Sequence, residues 1–166
     1  GALVEGHGGH LHWADEVAAS LHEDMPWMGR ATEYVWHALR RSAQRGEPIT
    51  LRPVILNGPP GIGKSIWARS LAAALSLPYG NVDASKGGAG MALVGVERGW
   101  GSAQAGRPID LMLAKRIANP LIVVYQTLQR SRFYLDAAQA RNWLMRLSMI
   151  WRDWSGYQSP VLRQEF

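Results

Sequence analysis

At 166 residues, with 47% hydrophobic and 19% charged side chains, the chain has apolar material for one sizeable core and a composition that excludes wholesale disorder. Its formal net charge of +5 is scattered, with no basic run longer than Arg40-Arg41, which suits steering of a small anion and argues against a dedicated nucleic-acid surface. Zero cysteines exclude a disulfide framework and a thiolate metal site, and no apolar stretch has the length of a membrane span, so cytoplasm is the default compartment.

Residues 1–12 are rich in glycine and histidine, with His7, His10 and His12 close together; this reads as a flexible terminus of a processed, tagged or partial chain rather than as a metal cluster. Helical periodicity begins after Trp13. One helix is predicted over residues 14–22, with Asp15 and Glu16 well placed at its positive end, and a second over 32–44, with Val35, Leu39 and Ala43 a turn apart. Met25-Pro26 separates them, and Gly46-Glu47-Pro48 ends the second. Trp27, Trp36 and Trp67 are read as packing residues, because large aromatics on helices serve a core or an interface. An apolar strand is expected over 51–56, a helix over 64–75, a turn at Leu77-Pro78-Tyr79 and a second strand over 81–84. The glycine-studded stretch 86–107 is long for a connector, and connectors of that length are commonly functional. A helix over 109–117, a turn at Asn119-Pro120 and a buried strand over 121–124 follow. Alternation of strands and helices predicts an α/β three-layer sandwich with a parallel sheet and right-handed crossovers. Beyond Val124 the character changes to arginines and to Trp143, Trp151 and Trp154. There a helix is expected over 137–154, with an irregular final dozen residues. The organisation is therefore a flexible N-terminus and helical lead-in over 1–50, an α/β core over 51–124 and a helical tail of uncertain origin over 125–166.

Chemistry concentrates at one place. Gly58, Pro59, Pro60, Gly61, Ile62, Gly63, Lys64 and Ser65 fit the phosphate-binding pattern G-x-x-x-x-G-K-[ST] at every fixed position. Glycines let successive backbone N–H groups turn toward phosphate oxygens, lysine reaches the β- and γ-phosphates, and the hydroxyl of Ser65 ligates Mg²⁺. An apolar strand before the loop and a helix after it supply the context that the motif requires, and Asn57 and Pro60 shape the loop.

The Gly-Pro-Pro-Gly-Ile-Gly-Lys-Ser form of this loop resembles that of AAA+ ATPases, and the chain is most similar to the ATPase module of Lon-type proteases and their relatives. The more specific likeness runs from Gly95 to Arg107 through Gly99, Trp100, Gly101 and Gly106, and the helices before Leu51, with Met25-Pro26-Trp27, are similar to those that precede the Lon core. The resemblance covers roughly residues 14–124. It implies a P-loop NTPase fold, ATP and Mg²⁺ as ligands, ATP hydrolysis coupled to remodelling or translocation of an unfolded polypeptide, and a homo-oligomeric ring. It places Trp100 on the pore loop that grips the polypeptide.

One departure limits these expectations. In the family the strand equivalent to 121–124 is followed by an Asp-Glu pair, which holds Mg²⁺ and polarises the attacking water. Here Tyr125 and Gln126 follow, and neither carries a negative charge at neutral pH. Asp136 is the foremost candidate for a substitute carboxylate, with Asp83 and Glu97 behind it. No sensor asparagine, arginine finger or sensor arginine stands out, and Ser85 beside Lys86 does not make a Lon-type peptidase site. The change at Tyr125 suggests a truncated or rearranged ATPase. The alternatives are a hydrolysis-deficient ATP-binding scaffold, a P-loop small-molecule kinase with an arginine-bearing lid, and, from the net charge, a DNA-handling AAA+ relative.

Overall fold

A computed structural model describes residues 11–83, 89–96, 104–125 and 162–165. The first layer is a helical hairpin. Helix α1 spans Leu11–Asp24 and helix α2 spans Gly29–Arg45, and the Met25-Pro26 break is a single 3-10 turn over Pro26–Met28. Both helices are longer than their periodicity predicts: the extra residues at the start of α2 include the buried Ala31, and the start of α1 adds Trp13, which packs on the core, and the pair His12–Glu16. Helix α2 stops at Gly46 in the left-handed conformation, where the Gly46 and Glu47 N–H groups satisfy carbonyls of the last turn. Ala14, Val17 and Leu21 face Ala31, Val35 and Leu39. At the rim, the Trp36 indole N–H donates to the Asp15 carboxylate, and the Arg40 guanidinium lies 5.0 Å from the Trp36 ring centre.

The remaining described elements are β1 (Val54–Asn57), α3 (Lys64–Ala74), β2 (Tyr79–Asp83), α4 (Ala89–Val94), β3 (Gly95–Val96), β4 (Gln104–Ala105), α5 (Arg107–Lys115), β5 (Leu121–Tyr125) and β6 (Leu162–Glu165). Parallel pairing is present, in small units. β1 pairs with β6, from Val54↔Leu162 to Asn57↔Glu165, and β2 pairs with β5, from Tyr79↔Leu121 to Asp83↔Tyr125. The chain is thus a mixed helix-and-strand fold, with two-stranded parallel units in place of one continuous sheet among the described residues.

Helices cover both faces of the β2–β5 pair. Tyr79 meets Arg69 of α3, whereas an added Cβ on neighbouring Gly80 would stand 3.1 Å from Leu111 of α5. Successive strand residues point to opposite faces, so α3 and α5 flank β2 on its two sides. Two expectations need correction. The final residues are not irregular throughout, since 162–165 form β6; its partner is about a hundred residues away, and non-local parallel pairing leaves no local signature. The stretch 86–107 is not simply a connector, since it contains α4 and the antiparallel β3–β4 pair. Gly106 is required at the base of that hairpin, because a Cβ there would run into the Leu93 carbonyl. The predicted helix over 137–154 lies outside the described residues.

The core joins the helical hairpin to the α/β part. Val17, Leu21, Met25, Met28 and Leu39 share one cluster with Ile49, Trp67, Leu71, Leu75 and Leu77, and Leu56, Leu121 and Val123 pack on its edge. Trp67, 5% exposed, donates its indole N–H to the Thr32 hydroxyl at 3.1 Å, which ties α3 to α2. The Asn119 amide donates to the Ile49 carbonyl at 3.3 Å, and the Leu121 N–H to the Pro78 carbonyl at 2.8 Å; these bonds set where β5 begins.

Tyr34 belongs to the rim of this core and donates to the Arg52 carbonyl. Burial raises its pKa above 10.0, against smaller opposing effects that include the Arg41 and Arg52 charges. A phenol with a raised folded-state pKa contributes stability that is fully present below the unfolded value and is lost as pH rises through the folded one. Stability to urea should therefore fall above pH 10.0, and Tyr34→Phe should lose that part of the alkaline decline. An identical alkaline profile in the variant would exclude Tyr34 as its source.

Candidate functional site

The candidate phosphate loop lies between the end of β1 at Asn57 and the start of α3 at Lys64. Gly61 and Gly63 have φ of +84° and +97°. At Gly63 this left-handed conformation sets the chain into the first turn of α3, where the Trp67 N–H bonds back to the Gly63 carbonyl at 2.8 Å. A β-carbon would be strained there whatever the available space. The first-turn N–H groups of a helix have no intrahelical acceptor, so the start of α3 offers donors and the positive end of a dipole. Ser65 is exposed within that turn.

Two side chains hold the loop from opposite ends. The Lys64 ammonium donates to the Gly58 carbonyl at 2.7 Å and to the Pro59 carbonyl at 2.8 Å. At the far end the Trp27 indole N–H donates to the Ile62 carbonyl at 2.8 Å. As large aromatics on helices, Trp27, Trp36 and Trp67 are all expected to pack in a core or an interface. Trp67 is buried and Trp36 half-buried, but Trp27 is 55% exposed and lies beside the loop. The only sequence signal for this is the proline before it, which forces a short elbow between two helices; nothing in the spacing says where the elbow points.

The donor set suits a polyphosphate: a fixed cation, a hydroxyl, a helix start and glycines that place backbone close to the ligand. It suits the metal less well. Ser65 can supply one oxygen, but β5 ends at Tyr125, and among the described residues no group of three or more His, Asp or Glu could hold a metal ion. Asp83 ends β2 and is paired in register with Tyr125, which makes it the described carboxylate level with the end of β5. Asp136, Glu97, Gln126, Ser85 and Lys86 lie outside the described residues. So does Trp100; the β3–β4 pair brackets its segment and brings Gly95 opposite Ala105. Among the described residues no helix is long and apolar enough to cross a membrane. No family model matches this chain, and no curated protein matches it.

Proposed function

We propose that the chain binds ATP through residues 58–65, as a P-loop module of AAA+ type similar to the Lon ATPase domain. Gly61, Gly63 and the backbone N–H groups at the start of α3 would surround the phosphates, Lys64 would neutralise them, and Ser65 would ligate Mg²⁺, whose chemistry is to screen the triphosphate charge. The carrying observation is the loop itself, strand before and helix after, with its two positive-φ glycines and its lysine bent over the loop carbonyls. Helices on both faces of the parallel β2–β5 pair support a three-layer sandwich whose sheet includes these strands. In this reading the chain works in the cytoplasm as a homo-oligomeric ring, and Trp100 contacts an unfolded polypeptide.

A second reading is favoured by a specific observation. Tyr125 stands at the strand end where hydrolysis needs a carboxylate, so the chain would bind ATP and turn it over negligibly. Steady-state hydrolysis measured beside a calorimetric ATP titration separates the two. Saturable binding without turnover establishes the binding scaffold, and turnover with binding restores the motor and directs attention to Asp83 and Asp136. Transfer of labelled phosphate to a small acceptor would instead establish a kinase. Absence of binding would remove the nucleotide reading altogether.

A further inference from the structure

We propose that Trp27 is a positioning residue of the phosphate loop: its indole N–H fixes the Ile62–Gly63 peptide so that the Gly63 N–H is presented to a phosphate oxygen. The inference rests on the nucleotide reading of residues 58–65 and adds a component to it from outside the motif.

Exposure of Trp27 comes first. A tryptophan that is 55% exposed gains only part of the burial energy that Trp67 collects at 5%, so packing alone is a weak reason for its placement. Its one hydrogen-bond donor is spent on a loop carbonyl 35 residues away, at 2.8 Å. The elbow that carries it also lies against the next residue of the loop: a Cβ added at Gly63 would stand 3.8 Å from the Met25 sulfur and 3.9 Å from the Trp27 ring nitrogen. Met25 is buried in the shared core, so the elbow is anchored on one side while its tryptophan reaches the loop on the other.

The consequence follows from peptide geometry. In a planar trans peptide the C=O and the following N–H point in opposite directions. Drawing the Ile62 carbonyl toward Trp27 therefore turns the Gly63 N–H to the opposite side. That peptide would otherwise be easy to rotate, since Gly63, which supplies one of its two hinge torsions, tolerates both signs of φ. Lys64 does the equivalent at the loop's entry by holding the carbonyls of Gly58 and Pro59. Each end of the loop then has its carbonyls occupied by a side-chain donor, and the opposed N–H groups are left to an anion.

The test compares the full chain with Trp27→Phe, which keeps an aromatic ring and removes the N–H, by calorimetric titration with MgATP and with inorganic tripolyphosphate. Loss of one hydrogen bond that orders the loop should weaken both ligands by the same factor, about three- to tenfold. The urea unfolding midpoint should stay within error. In a chain carrying 5-fluorotryptophan only at position 27, the fluorine resonance should shift when tripolyphosphate binds. Unchanged affinity for both ligands, or a fluorine signal indifferent to tripolyphosphate, would overturn the inference alone. Weakening confined to MgATP would also overturn it, since Trp27 would then touch base or ribose rather than order the loop. A wild-type chain that binds neither ligand would overturn the phosphate-loop reading and this inference with it. Were Trp27→Phe to unfold, the fluorine measurement on the otherwise unaltered chain decides.

Discussion

Lys64→Ala should weaken ATP binding by at least about a hundredfold. With two of its three N–H groups on the loop carbonyls, the ammonium has one left for a phosphate oxygen. That charge-assisted bond is worth about 1.5–3 kcal/mol and the lost attraction of the charge supplies the rest, since about 1.4 kcal/mol corresponds to tenfold in affinity. The same substitution releases the Gly58 and Pro59 carbonyls, which the ammonium holds at 2.7 and 2.8 Å, so the loop also loses its entry clamp. Both effects act in one direction. Lys64→Arg should fail as well, because a planar guanidinium cannot occupy the compact position of an ammonium between two carbonyls. Calorimetry on the wild type and both variants checks this, alongside an unfolding curve to show that each variant is folded. Retained micromolar affinity in a folded Lys64→Ala chain would sink the assignment of the phosphate site to residues 58–65.

The second large effect concerns stability. Trp67→Ala should cost about 3–5 kcal/mol, the range for truncating a large buried aromatic, against a total stability of about 5–15 kcal/mol for an ordinary domain. Trp67 is 5% exposed, and it packs where α3 meets the helical hairpin. Its removal would leave a cavity and would also strand the Thr32 hydroxyl, which is 4% exposed and accepts the indole N–H at 3.1 Å. Trp67→Phe keeps most of the volume and isolates the hydrogen bond, so about 1–2 kcal/mol is expected from that change. Urea unfolding at neutral pH measures both. A cost under about 1 kcal/mol for Trp67→Ala would show that α1 and α2 do not share a core with α3.

Much of the site was legible because its residues are contiguous. A strand, six connecting residues and a helix carry their pattern in one short window, and Leu121 to Val124 announce a strand by composition alone, although it is not the buried strand expected: Leu121 to Val123 are half-buried and Val124 is 41% exposed. Boundaries shifted for local reasons. β1 starts at Val54 rather than Leu51 because Pro53 offers no N–H to a ladder, and β2 starts at Tyr79 because the Leu121 N–H already reaches the Pro78 carbonyl. Non-local features were not legible. The pairing of β6 with β1 depends on a partner about a hundred residues distant, and the two-residue strands around the Trp100 segment are too short to show alternation. The place of Trp27 outside the core was not legible for the same kind of reason. Its residue type suits packing on a helix, but the 3-10 elbow turns it toward a carbonyl 35 residues on.

The buried bond from Asn119 to the Ile49 carbonyl also carries a cost in chain entropy. It joins residues 70 apart, so the chain between them must close a long loop before the contact exists. A flexible loop of that length loses roughly 4 kcal/mol of chain entropy on closure, while the two antiparallel helices meet across a single short turn at far less cost. The hairpin of helices is thus the cheap event, and the clasp at Asn119 and the still longer β1–β6 pairing are the expensive ones. Strand β5 pairs with β2 across a shorter loop of about forty residues, at a somewhat lower cost of closure.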